Sequence, residues 1–326
     1  MLPLQPASAA GKINHFLERF IPITTPLAIL VGFLFPDFFI FFRPLVMFLF
    51  GLMTFSGALK LKASELGAAI RSPVPILIFF ISAHVLMPVI ALFVSSLFFI
   101  NTDVVAGFVL LFAGPTAVSG FIWVSILKGD MALCLTLILL DTLLAPLVVP
   151  GTISILMGAK ISMEGGGIAF SLLLMIVIPT IIGVSVNEIS KGKIPSVICP
   201  YFDPAAKICL MFVIATNASI IAPVINIADP LVWQTAILTV ALTFTGFILV
   251  NIASIAGRCR EQKNISLVIA GGLRNNSAIM TIAVAFFPEA AVLPTLMSII
   301  IQQSVAAVMG KFLKKSRRSA EEYQEL

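Results

Sequence analysis

The sequence predicts an all-α integral membrane protein of ten transmembrane helices in two inverted five-helix repeats. Three observations predict it: long apolar runs, a one-sided distribution of basic residues, and two matched helix breaks. Of 326 residues, 60% are hydrophobic and only 11% charged. A soluble domain carries about 25% charged residues, so this chain has too few charges to cover a water-facing surface. It has enough apolar surface to face lipid, and a lipid bilayer is its expected surrounding.

A helix needs about 20 apolar residues to cross the hydrocarbon core. Apolar runs fall at 21–36, 39–59, 73–99, 104–127, 131–157, 168–188, 205–225, 231–257, 265–286 and 290–312. Backbone polar groups cannot go unpaired in lipid, so each run reads as a helix. The runs do not alternate apolar and polar residues, which excludes barrel strands. Residues 1–20 read as a cytoplasmic segment. The first run reads as a span and not as a cleaved signal, because many further runs follow it. The repeats then cover 21–158 and 165–312, and 313–326 is a cytoplasmic tail.

Lys and Arg collect on the cytoplasmic side of membrane proteins. With ten spans and the N-terminus inside, 17 of the 20 basic residues fall there. They are Lys12, Arg19, Lys60, Lys62, Arg71, Lys128, Lys191, Lys193, Lys207, Arg258, Arg260, Lys263, Lys311, Lys314, Lys315, Arg317 and Arg318. Arg43 and Lys160 fall outside, and Arg274 falls inside a span. The expectation is a multi-pass protein of the cell membrane with both termini cytoplasmic. The net charge of +5 is explained by this placement, so no nucleic-acid partner is expected. Four cysteines (Cys134, Cys199, Cys209, Cys259) form no CxxC, so neither a disulfide framework nor a metal site is expected.

The breaks come in a pair. Residues 107–148 contain a helix interrupted by Gly114-Pro115-Thr116-Ala117-Val118-Ser119-Gly120, then a short Lys-Gly-Asp turn and a long helix. Residues 265–308 contain one interrupted by Gly271-Gly272-Leu273-Arg274-Asn275-Asn276-Ser277, then a short turn and a long helix. Proline removes a backbone donor and clashes with the preceding turn, and glycine weakens a helix further. Five spans separate the two, which inverts the second relative to the first. Interrupted segments at matching positions of two halves point to a transporter binding site.

Three titratable residues lie at mid-depth. Arg274 sits about ten residues from the Lys263 end, about 15 Å deep, too deep to snorkel easily. Asp141 has a similar depth in the fifth run. An ion pair between the two is one reading. The other gives Arg274 an anionic substrate and Asp141 a proton. His84, about twelve residues into the third run, reads as a helix contact or a proton carrier. Asn217, beside Thr216 and Ser219 in the seventh run, is a pocket candidate. No HExxH, GxxxxGK[ST], GxSxG or DDxxD-type cluster is present, so an enzyme is not expected.

At these motifs the sequence resembles the bile acid:sodium symporter superfamily. The resemblance rests on GALKL at 57–61, on FAGPTAVSGFIWVSILKGDMALCLTLILLDTLLAPLVVPG at 112–151, and on GGLRNNSAIMTIA at 271–283. It implies a core domain with two crossing broken helices beside a panel domain of spans one, two, six and seven. It implies substrates such as bile acids, pantoate-like acids, keto acids and sulfated steroids. It also exposes a departure. Where relatives place a Ser-Asn pair, this chain has Ser119-Gly120. Where they place Glu and Gln around the second break, it has Ala270 and Arg274. The third-span Gln falls near Ala83, and hydroxyl ligands fall near Cys134 and Ile138.

The expectation is a secondary transporter of a small organic anion working by alternating access, as a monomer or homodimer. Thr116, Ser119, Arg274, Asn275, Asn276, Ser277 and Asn217 would bind substrate. Arg274 would stand where a sodium ion would sit, so no cofactor is expected and coupling is by protons or absent. A sodium-coupled symporter with rearranged ligands is the alternative. A membrane-embedded enzyme or a receptor is the alternative of another class.

Overall fold

The computed structural model describes residues 24, 26–61, 73–158, 165–223 and 228–324, with side chains as far as Leu313. In chain order its α-helices are α1 (26–34), α2 (Pro36–Ile40), α3 (Val46–Ala58), α4 (Pro73–Phe98), α5 (Thr102–Ala113), α6 (Gly120–Leu127), α7 (Met131–Met157), α8 (Gly165–Ile189), α9 (Lys193–Ile221), α10 (Pro230–Ala256), α11 (Glu261–Gly272), α12 (Asn276–Phe286) and α13 (Leu293–Gln324). No strand occurs among the described residues.

Six of the described helical stretches are long and apolar enough to cross a membrane: Pro73–Phe98, Met131–Met157, Gly165–Ile189, Lys193–Ile220, Pro230–Ala256 and Glu289–Leu313. Arg43–Ala58, Thr102–Ala113 and Asn276–Phe286 are shorter apolar helices. The protein is a multi-pass, all-helical membrane protein.

The chain forms two compact units. The first comprises residues up to Ala63 with Phe170–Ile225, and the second Ser64–Ala169 with Asn226–Leu326. In the first unit α3 packs against α8 and α9. The approach of α1 to α9 requires glycine at 32, where a Cβ would lie 2.2 Å from the Ala215 carbonyl oxygen. Lys60 Nζ lies 2.7 Å from Asp203 Oδ2, and Asn187 Nδ2 donates to the Leu61 carbonyl at 2.8 Å. These contacts tie the end of α3 to both neighbours.

Boundaries differ from the sequence reading in two places here. Pro36 forces Phe35 out of the helical region (φ −126, ψ 55), because the residue before proline clashes with its ring. The first helix therefore ends before Pro36, and the run beginning at 39 is split at the turn 41–42, its long helix starting only after Pro44. The run from 205 begins earlier, at Lys193 after the left-handed Gly192 (φ 79). Lys207 thus lies within α9 and not in a connection. Residues 1–23, Lys62, Arg71 and Lys160 lie outside the described residues.

In the second unit every residue of α5 from Val104 to Ala113 is buried, as is every residue of α11 from Ile265 to Gly272. A helix apolar all round is encased by neighbours. Here the neighbours let broken backbone lie inside protein instead of lipid. Their approach is close, because a Cβ on Gly107 would stand 2.2 Å from the Ala291 carbonyl oxygen.

Candidate functional site at two crossing helix breaks

The first break follows from Pro115. Gly114 donates its N–H to Leu110 at 3.1 Å, and Pro115 has none to offer, so the ladder of α5 stops. Gly114 turns extended (ψ 156), and α6 resumes at Gly120. It ends at Lys128 in the left-handed region (φ 59), where Asp130 caps α7 by accepting from the Leu133 N–H at 3.0 Å. The second break follows Gly271 and Gly272. A Cβ on Gly272 would lie 2.3 Å from the Phe247 ring. Leu273 is extended (φ −96, ψ 130), and Asn275 caps α12 by accepting from the Ala278 N–H at 3.3 Å.

The two breaks satisfy one another. Thr116 and Arg274 form an isolated antiparallel bridge. The Asn275 N–H donates to the Pro115 carbonyl at 2.8 Å, and the Ala117 N–H to the Leu273 carbonyl at 3.2 Å. The Thr116 hydroxyl donates to the carbonyls of Leu273 (3.1 Å) and Ala270. Backbone groups freed by breaking each helix thus find partners in the other, as burial demands.

Charge is concentrated at the bridge. Asp141, fully buried on α7, accepts from the Thr116 N–H at 2.6 Å with Oδ2. Its Oδ1 lies 2.8 Å from His84 Nε2, off the line of a good hydrogen bond. Arg274 is 2% exposed. Its backbone N–H donates to Gln302 Oε1 at 2.8 Å, and its carbonyl accepts from Gln302 Nε2 at 2.9 Å. Its guanidinium donates to the carbonyls of Gly114 (Nη1, 3.3 Å) and Ala83 (Nη2, 2.8 Å).

The Ala83 carbonyl is available for a reason in the sequence. Residues Ile81–Leu86 form a π-turn within α4, in which Met87 N–H donates to Ser82. The next residue, Pro88, has no N–H. Ala83 is therefore left without a helical donor, and the guanidinium supplies one. Short π-turns often mark functional positions.

The structure brings together Thr116, Arg274, Asn275, Asp141, His84, Gly114, Pro115, Gly271 and Gly272. The Asp141–Arg274 ion pair is corrected. Arg274 has carbonyl partners, and Asp141 has His84 and the Thr116 N–H, because the bridge turns the guanidinium toward α4. Ser119 is half-buried at the start of α6, close to Gly120. Asn276 is buried, its Oδ1 without a hydrogen bond. Ser277 is half-buried, and its carbonyl accepts from Thr281. Asn217 is buried in α9 of the first unit. The sequence reading missed Gln302 and the Ala83 carbonyl. A Gln-Gln pair inside the apolar run SIIIQQSVAAV and the proline after His84 were the available signals.

The described cysteines are free, and no group of three or more His, Cys, Asp or Glu among the described residues is placed to hold a metal. Two broken helices bonded at their breaks, in a bundle of apolar helices, are the pattern of a membrane transporter's binding site. Residues 44–228 match the Sodium Bile acid symporter family, and the chain belongs to that family. It is 32% identical over 295 residues to the "Uncharacterized protein YbaS" of Bacillus subtilis, covering 90% of this chain and 96% of that one. It is 24% identical over 183 residues to the "Uncharacterized sodium-dependent transporter YocS" of the same organism (56% and 57% covered). It is 22% identical over 256 residues to the "Probable sodium/metabolite cotransporter BASS3, chloroplastic" of Oryza sativa (78% and 60% covered).

Proposed function

We propose that this chain is a secondary transporter of a small organic anion that works by alternating access without the sodium sites of its relatives. The observation that carries the reading is the Arg274 guanidinium at the crossing, donating to the Gly114 and Ala83 carbonyls. A cation held by carbonyl oxygens would need those same oxygens. The side chains that would complete its shell by the family resemblance are Ala83 and Ala270, both buried and without oxygen. The residues present therefore do not fit a sodium ion here.

The fixed positive charge and the N-terminus of α12 favour an anion. Thr116, Ser119, Asn275, Asn276 and Ser277 lie around it in sequence and would line the substrate path. Two inverted five-helix repeats are the architecture we assign. The matched breaks support it, as does the composition of the first unit, which holds runs one, two, six and seven. The cell membrane is the location this reading implies.

Two relatives bear sodium in their names, which makes a sodium symporter with rearranged ligands the second reading. Proteoliposome uptake separates them. Labelled keto acid, pantoate-like acid, bile acid and sulfated steroid are offered with sodium and pH gradients imposed separately. We expect uptake of an acid with sodium absent. Accumulation only under a sodium gradient, or saturable sodium protection against heat, returns the second reading.

A further inference from the structure

We infer that the His84–Asp141 pair carries one proton per substrate, making the protein an electroneutral symporter of a proton and a monocarboxylate. This rests on the anion-transport reading and adds the coupling ion and its stoichiometry. The first ground is geometry. His84 Nε2 and Asp141 Oδ1 are 2.8 Å apart, within proton-transfer reach, yet not aligned as a settled hydrogen bond. His84 Nδ1 is buried with no hydrogen-bond partner among the described residues. A buried polar atom without a partner is costly, and this one lies on the ring that faces Asp141. The ring packs against Phe79 and Phe80, with centroids 5.7 and 5.5 Å away.

The second ground is charge. Arginine is always protonated in proteins. With Asp141 ionised and His84 neutral, the site around Arg274 is neutral. Titratable groups on the elements packed around the pair are few. In α4 His84 stands alone, and α6 and α10 carry none. Asp141 in α7 is accompanied by Cys134, about two turns away. Asp103 in α5 and Glu261 and Lys263 in α11 lie at helix starts, and Lys311 lies about 13 Å along α13 from Gln302. A proton entering the pair raises the site to +1, and one carboxylate restores neutrality. Burying an uncompensated charge is expensive, so proton and monoanion favour each other's entry.

The transfer balances simply. A proton from water on one side forms an O–H bond on Asp141 or an N–H bond on His84. It passes between Oδ1 and Nε2 with one bond forming as the other breaks, and leaves to water on the other side. Asp141 is also tied to the crossing through the Thr116 N–H. Movement of the first break therefore alters the hold on that carboxylate.

The chain has two histidines, His15 and His84, so His15→Gln leaves one imidazole to observe. Nitrogen-15 spectra of the full chain in nanodiscs should show the His84 signal changing between neutral and charged forms across pH 5 to 9, and should change in Asp141→Asn or Asp141→Glu. A signal constant over that range overturns the proposal, with no substrate needed. In proteoliposomes the acid exchanged without gradients should accumulate under a pH gradient and not under a potassium diffusion potential alone. In His84→Gln the ratio of pH-driven accumulation to exchange should fall at least tenfold. Accumulation driven by potential alone, or an unchanged ratio, overturns the proposal. Absence of exchange for all four acids overturns the anion-transport reading, while the spectra still decide the pair.

Discussion

Arg274 is held at both ends. Gln302 occupies its backbone N–H and carbonyl, and two carbonyls occupy its guanidinium. Gln302→Leu leaves the buried Arg274 N–H without a partner, at about 1–3 kcal/mol, while the Arg274 carbonyl keeps the Asn276 N–H at 2.9 Å. Thermal unfolding should show a clear loss of stability, and Gln302→Met, which keeps volume but neither bond, should match it. Arg274→Ala should abolish uptake. It leaves the buried Gly114 and Ala83 carbonyls without their guanidinium donor and removes the positive charge nearest the buried Asp141 carboxylate. Adding Asp141→Asn should restore folding yield more than activity, as measured by detergent-stable protein per cell and by uptake. If the double variant transports as well as it folds, the fixed charge is not part of the substrate site.

At the scale of elements, the two breaks are built from different materials. Pro115 stops α5, whereas glycines and the Asn275 cap redirect the chain between α11 and α12. The π-turn in α4 is a third irregularity and depends on Pro88. Pro88→Ala would supply an N–H in the α-register and let Met87 bond Ala83, drawing that carbonyl away from Arg274. We expect uptake to fall severalfold with thermal stability held or raised, since a helical proline is unfavourable by about 3 kcal/mol. Equal loss of both would mean the π-turn serves packing alone. The breaks were legible in the sequence because proline and glycine act on their own residue. The π-turn was not, because Pro88 acts on a carbonyl five residues earlier. Whether Asp141 pairs with Arg274 was left open by the sequence for a related reason. Depth along a helix is legible, but rotation about its axis is set by packing, and it turned Asp141 toward His84.

For the whole molecule, apolar runs and basic residues carried most of the information. They placed the helices, while Pro36 and the stretch after Gly192 shifted the ends that hydropathy alone could not see. Orientation rests on charge. Long apolar helices insert either way round, and Lys and Arg near their ends decide which loops stay inside. Assigning ten spans puts 17 of 20 basic residues on one side. Finding Lys207 within α9 weakens one member of that set and leaves the asymmetry standing. A miscount by one span between residues 263 and 311 would put the clusters at 258–263 and 311–318 on opposite faces. Both termini should therefore be cytoplasmic. A reporter active only in the cytoplasm should signal when fused at either end, and one active only outside should stay silent. Inserted after Ala228, between α9 and α10, the pair should give the opposite result. A C-terminal fusion active outside would remove the even-span topology, and with it the inverted relation between the two halves.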